Sequence, residues 1–318
     1  MRIGLALCSE EHGPRHLVEQ AVQAEAAGFE FALISDHFHP WIDHQGHSPF
    51  VWTTLGGIAH ATTTLRVGTG VTCPILRIHP AIVAHAAATC AAMMPARFFL
   101  GVGTGEALNE HVLGQRWPAT HVRRDMLREA VEVMRTLWSG DLVSHSGPYY
   151  TVENARLYTV PDEQIEVMVA AGGPEAAALA AEIGDGLIAT APDEETVEAF
   201  ASGGGESKPR YGQLTVCYAS TEAEARRIAL EHWPNAALKG PLGQELPLPS
   251  HFEQAVAMIS EDDIAESVVC TPDPEAHIAA IREFEAAGFT HVAIHQVGPD
   301  NSGFLELYAD EILAATVA

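Results

Sequence analysis

The sequence predicts an α/β fold, a (β/α)₈ barrel with loop insertions at the C-terminal face of its strands. Three observations predict it. Short apolar runs alternate with alanine-rich amphipathic stretches from one end of the chain to the other. The segments Ala26-Ala27-Gly28-Phe29 and Ala286-Ala287-Gly288-Phe289 are near-identical helix stops, each with glycine just past the helix and a strand at once after it. Several apolar runs end in glycine, acids or histidine, and strand ends are where such folds gather their chemistry. A doubly wound open sheet is the competing architecture.

The strand candidates are residues 3–7, 31–35, 65–71, 98–102, 166–170, 186–190, 214–219 and 291–295. Their continuous apolar character suits parallel strands covered on both faces. Helices are expected over 16–27, 80–94, 126–138, 174–183, 222–233 and 274–287, among others. Residues 141–164 carry three tyrosines and suggest a small hairpin, 201–205 a flexible glycine loop, and 234–252 a proline-rich insertion over the site that is the candidate lid. The chain of 318 residues, 47% hydrophobic, can bury one large core, so 1–318 is expected to form one domain.

Charge excludes some partners. The formal net charge is −25, and the chain has two lysines, Lys208 and Lys239. Nucleic acid and anionic membranes need a basic surface and are not expected partners. No apolar stretch reaches the roughly 18 residues needed to span a bilayer, and no leader-like segment opens the sequence, so a cytoplasmic protein is expected. The five cysteines, Cys8, Cys73, Cys90, Cys217 and Cys270, are scattered, form no Cys-x-x-Cys, and read as buried apolar residues.

The second strand ends in Ser35-Asp36-His37-Phe38-His39-Pro40-Trp41. His37 is a candidate general base that Asp36 could tune. His37-x-His39, with His44 and His47 following, also allows a metal reading, which lacks a matching carboxylate and histidine pair at later strand ends apart from His295. Trp41 could wall a substrate pocket or serve only to pack a loop. Gly101-Val102-Gly103-Thr104-Gly105-Glu106 lacks the third glycine of a dinucleotide fingerprint and sits on the fourth strand. It reads better as a backbone that a flat ring can approach, with Glu106 and Asn109 at the next helix; a plain helix-dipole role competes for Glu106. Gly68-Thr69-Gly70-Val71-Thr72-Cys73 suggests an irregular strand end, and Ala171-Gly172-Gly173-Pro174 offers free amides at a helix start suited to an anion. Successive glycine-rich strand ends favour a long, flat, anionic cofactor. No nucleophile elbow, His-Glu-x-x-His or Walker loop is present.

These segments, together with Gly46-His47-Ser48-Pro49-Phe50-Val51-Trp52 and the string from Gly101 to Glu110, resemble the luciferase-like superfamily. Within it the chain is similar to the group of glucose-6-phosphate dehydrogenases that use the deazaflavin coenzyme F420. The resemblance implies a barrel, a homodimer, F420 in the barrel mouth and a cis peptide at Gly70-Val71. By the same resemblance His37 is the base that takes a proton from a substrate hydroxyl, Trp41 stabilises the transition state, and Glu106 protonates or polarises the ring. Asp36, Gly70, Val71, Cys73, Thr104, Asn109, Gly172, Gly173 and Thr190 are implied to line the cofactor, and no metal ligand is implied.

One departure bears on substrate. Where sugar-phosphate members carry basic side chains, this chain has Asp193 and Glu266-Ser267, with no lysine nearby in sequence. A doubly charged phosphate would be repelled there. The expectation is therefore an F420-dependent oxidoreductase acting on an alcohol or hemiacetal carbon of a small, non-phosphorylated substrate. The rivals are an FMN-dependent monooxygenase, a metal hydrolase built on His37 and His39, and a non-catalytic cofactor-binding protein.

Overall fold

Eight parallel strands close on themselves in the computed structural model, which describes residues 1–299 and 301–316. They are Arg2–Leu7, Phe31–Ile34, Arg66–Thr69, Phe98–Val102, Val167–Ala170, Gly186–Ala189, Arg210–Cys217 and His291–Gln296, numbered first to eighth below. Each pairs with the next in sequence, and the eighth closes the ring on the first with Arg2 opposite His291 and Leu5 opposite Ile294. The barrel and its intervening helices match the expected fold, and the open sheet is excluded.

Helix ends follow from local chemistry. Helix Pro14–Ala27 starts with proline at its first turn and stops at Gly28, whose φ of 96° lies in the left-handed region where a Cβ is penalised. The Gly28 amide then donates to the carbonyls of Ala24 and Glu25, which would otherwise be orphaned. Helix Thr120–Leu137 buries Met126, Leu127, Ala130, Val131, Met134 and Leu137, a stripe at spacings of three and four against the barrel wall.

Inside the barrel, Phe31, Leu33, Phe99, Met168, Ile188, Tyr211 and Ala293 form one cluster. Large and small residues interdigitate there. A Cβ on Gly68 would stand 2.2 Å from the Phe99 ring, so glycine at this position is what admits the aromatic. Each such ring contributes roughly 1.5–3 kcal/mol by its burial.

The irregular segments are ordered differently from one another. The expected hairpin pairs Val143–Ser146 with Thr151–Ala155. Residues 201–205, expected as a flexible loop, instead continue helix Glu194–Phe200 as a wide helical turn until Gly204 breaks it at φ 103°. The 234–252 insertion folds into short helices, including Pro234–Ala237, Leu242–Glu245 and Pro249–Val256. Its Phe252 packs edge-on against Trp41 at 5.2 Å, which seats the insertion at the barrel mouth. Among the described residues no helix is long and apolar enough to cross a membrane. The five cysteines are free and buried, and burial pushes Cys90 and Cys217 up to about 12 and Cys270 up to about 11.

Candidate active site

The chain after the second strand is pinned by backbone bonds. Asn109 Oδ1 accepts from the amides of Phe38 (2.8 Å) and His39 (3.1 Å), and Gln45 Oε1 accepts from the amide of Trp41 (2.9 Å). His39 turns its Nδ1 to the carbonyl of Leu108 at 3.0 Å. That bond and the His37–Glu10 contact give the two rings different partners, and among the described residues His37 and His39 belong to no cluster of three metal-ligating side chains.

His37 faces a different acid from the one its sequence neighbour suggests. Its Nδ1 lies 3.1 Å from Glu10 Oε1 and 3.3 Å from the carbonyl of His39. Two acceptors on Nδ1 require the proton there, which leaves the Nε2 lone pair of the neutral ring free. Glu10 is buried and held by hydroxyl donation from Ser35 (2.6 Å) and thiol donation from Cys8 (3.3 Å). The Trp41 ring packs edge-on against His37 at 4.9 Å. Glu10 escaped the sequence reading, although it follows the first strand by three residues and the strand-end rule applied there would have found it.

Asp36 does not tune His37. Its carboxylate accepts from Arg77 Nη2 and from Thr72 Oγ1, each at 2.8 Å. Arg77 also reaches Glu110, by its backbone amide at 2.8 Å and by Nε at 3.3 Å. One buried cation thus joins two buried carboxylates behind the third and fourth strand ends. Burial pushes the Glu110 carboxyl up against the pull of Arg77, and nearby Glu106 adds to the rise. Physically, adjacency along a strand end points Asp36 and His37 to opposite sides, so consecutive polar residues rarely serve one another.

A cavity of about 570 Å³ opens at the barrel mouth. Its wall includes His37, Trp41 and Glu106, and also Asp36, Gly70, Val71, Cys73, Thr104, Asn109, Gly172, Gly173 and Thr190, so the fold brings all the sequence-chosen residues to one site. The Gly70-Val71 peptide is cis. Glu106 immediately precedes the short helix Ala107–Glu110 and makes no side-chain capping bond to it, and the helix-dipole reading of its charge stays open. The wall also contains Glu10, Gln213, Trp233 and Gln244, none of which carried a motif signal, and His295, which had entered only the metal reading.

The donor set fits a flat ligand with polar edges and an anionic end. The Nδ2 of buried Asn109 has no hydrogen-bond partner among the described residues, so a donor stands ready on the cavity wall. Beside Gly172 and Gly173 a Cβ would meet no atom within 4 Å, and these residues lead into helix Pro174–Ile183, whose first amides are free for an anion.

The two places singled out for phosphate lie outside this wall. Asp193 caps helix Glu194–Phe200 by accepting from the Thr196 amide at 3.2 Å. Glu266 pairs with Lys239 at 3.1 Å on the surface, so the fold does bring a lysine beside it, which the spacing along the chain did not reveal. Lys208 is committed to the carbonyls of Ala181 and Gly184.

Comparison with known proteins places this geometry. A family model described as luciferase-like monooxygenase matches residues 1–291, and the chain belongs to that family. Among its relatives, the F420-dependent glucose-6-phosphate dehydrogenase of Mycobacterium avium (strain 104) is 35% identical, across 98% of this chain and 97% of that protein. The F420-dependent glucose-6-phosphate dehydrogenase 1 of Rhodococcus jostii (strain RHA1) is 36% identical, with the same coverage. The solved structure of an F420-dependent secondary alcohol dehydrogenase in complex with an F420-acetone adduct is similar at a TM-score of 0.91 and 32% identity, covering 98% of each chain.

Proposed function

We propose that this protein is a coenzyme F420-dependent oxidoreductase that works on the alcohol or hemiacetal carbon of a small substrate without a phosphate group. The observation that carries the reading is the His37–Glu10 pair, which presents a free Nε2 on the wall of the cavity. The bound deazaflavin supplies the carbon that takes up or gives back hydride. Asn109, Thr104, Thr190, Asp36, Cys73, Gly70 and Val71 hold its ring system, and the amides at Gly172 and Gly173 hold its anionic part.

His37 Nε2 takes the proton of the substrate hydroxyl in the oxidising direction and returns it to the carbonyl oxygen in the reverse direction. Glu10 keeps the Nδ1 proton in place and stabilises the imidazolium as it forms. Trp41 fixes the plane of His37 and closes the wall beside it. Glu106 stands on the cavity wall to polarise or protonate the cofactor ring. The whole chain, 1–318, acts as one catalytic domain and as a homodimer in the cytoplasm, with no nucleic-acid partner; sedimentation of the pure protein tests the dimer.

Charge selects the substrate. Glu10, Asp36, Glu106, Glu110 and Glu175 line the cavity, whereas Arg124 is the one arginine and no lysine joins it among the described residues. Arg124 is already paired with Glu175. Arg77 already answers Asp36 and Glu110, so a phosphate dianion entering this wall finds no unpaired lysine or arginine on it among the described residues and faces the carboxylates of Glu10 and Glu106. The sugar phosphate named for the relatives is for that reason not assigned to this chain.

Fluorescence titration with F420 and separately with FMN tests the cofactor, and turnover of secondary alcohols against glucose 6-phosphate tests the substrate. Expected are tight F420 binding, weak FMN binding, and kcat/KM at least about 100-fold higher for an uncharged alcohol, about 2.7 kcal/mol in barrier. Preference for FMN would point to a monooxygenase. Turnover of glucose 6-phosphate matching that of the alcohols would overturn the substrate reading alone.

A further inference from the structure

Beneath the rim of the cavity, where the first and eighth strands pair, three side chains of different chemistry converge. A sulfur of Cys8, a carboxylate oxygen of Glu11 and a ring nitrogen of His295 all lie within 4.8 Å of one another. Glu11 and His295 are 4% and 2% exposed in their side chains. Neither oxygen of Glu11 receives a hydrogen bond, and Nε2 of His295 makes none among the described residues. Buried polar atoms are nearly always paired, so a cluster with unpartnered atoms on both Glu11 and His295 has room for an occupant. The nitrogens facing Glu11 stand back, His295 Nε2 at 3.7 Å from Oε2 and His232 Nδ1 at 3.4 Å from Oε1.

We propose that Cys8, Glu11 and His295 form a binding site for one thiophilic divalent cation, of which zinc is the type, with His232 able to supply a fourth ligand. Thiolate, imidazole and carboxylate are the donors that zinc takes. Charge within the ligand set balances, since one thiolate, one carboxylate and a divalent cation sum to zero, and the buried Glu10 carboxylate 3.3 Å from the sulfur adds a further pull on the cation. Binding releases one proton, that of the Cys8 thiol, to solvent. Ligand atoms around a tetrahedral zinc stand roughly 3.3–3.8 Å apart, so the cluster must contract by about an ångström, within the reach of side-chain torsions. The edge of Trp233, 4.5 Å from the His295 ring, closes the site on one side. Cys8, Trp233 and His295 share the cavity wall with His37, and a cation held there takes away the thiol that donates to Glu10.

The test uses the full chain stripped of metal with a chelator, then titrated with cobalt(II) and, in competition with a chromophoric chelator, with zinc. Expected is one equivalent bound, with a sulfur-to-cobalt charge-transfer band in the near ultraviolet and intense visible bands of a tetrahedral ion. Cys8→Ser should abolish the charge-transfer band and weaken zinc binding at least about 100-fold, and Glu11→Gln at least about 10-fold. His44→Ala should change nothing, which separates this site from the surface cluster His44, Glu231 and His232. Failure of the wild type to bind one equivalent, a wild-type spectrum without the sulfur band, affinity unchanged in Cys8→Ser, or loss of binding in His44→Ala would each overturn the proposal. The wild-type spectrum decides even if a variant does not fold, and no outcome depends on F420.

Discussion

The two ends of this barrel are built from the same eight strands and solve opposite problems. At the base, Tyr211 stacks on His291 at 4.1 Å and on Phe99 at 5.2 Å, and Phe31 meets Tyr211 edge-on. Charges there are tied down, Arg2 to Glu30, Arg66 to Glu166, and Arg97 and Arg210 to backbone carbonyls. The base is therefore a plug filled by rings. At the mouth the same strands end in a cavity whose wall is rich in carboxylates and poor in cations, with donors left open. Unpartnered buried polar atoms occur at both ends, Arg66 Nε and His291 Nε2 at the base and Asn109 Nδ2 and His295 Nε2 at the mouth, and the difference is that the residues at the mouth line a cavity open to a ligand. Removing a side chain from each end should then move different observables.

The largest effect is expected where that division breaks. Arg77 lies at the mouth but acts as a keystone, because its loss strands two buried carboxylates. Arg77→Met should cost about 3–5 kcal/mol of stability and weaken cofactor binding as well, measured by chemical denaturation and by titration. A variant as stable as the wild type would mean that Asp36 and Glu110 are not both ionised. Next comes His37→Ala, which sharpens the division. It should lower kcat by about 10³-fold while the melting temperature and cofactor affinity stay as in the wild type. Glu10→Gln should give a smaller loss, about 10-fold in kcat with KM unchanged in steady-state assays, since it positions the base rather than touching substrate.

Much of the fold was legible because buried parallel strands leave continuous apolar runs and glycine marks helix stops. The seventh strand was the least legible. It begins at Arg210, earlier than its apolar run from 214, because Arg210-Tyr211-Gly212-Gln213 becomes strand through partners on both sides rather than through its own pattern. Helix Val51–Ala61 went unnamed because Gly56, Gly57 and two threonines blunt its signal. At the site, residues of one strand end were readable together, His37 and Trp41 above all. Partners from other strands were not: Glu10 for His37 and Arg77 for Asp36 are 27 and 41 positions away, and only the pairing of neighbouring strands brings them in.

The smallest expected effect belongs to the base. His291 is buried against Tyr211 and Phe31, and burial, helped by Arg2 and Arg66, lowers it from 6.5 to about 4. In the fold it is neutral at pH 5, whereas in the unfolded chain it is mostly protonated there. The unfolded state thus binds more protons between pH 6.5 and 4, and stability falls as the pH falls through that window. The stability His291 contributes is fully present above 6.5. His291→Phe keeps the stack and removes the titration, so the loss of melting temperature between pH 7 and 5 should shrink by about 2 °C, while turnover at pH 7 stays unchanged. Calorimetry at the two pH values reads this directly. An identical pH slope in wild type and variant would show that the base plug is already protonated or hydrated, and that its polar groups are not sealed as the comparison of the two ends requires.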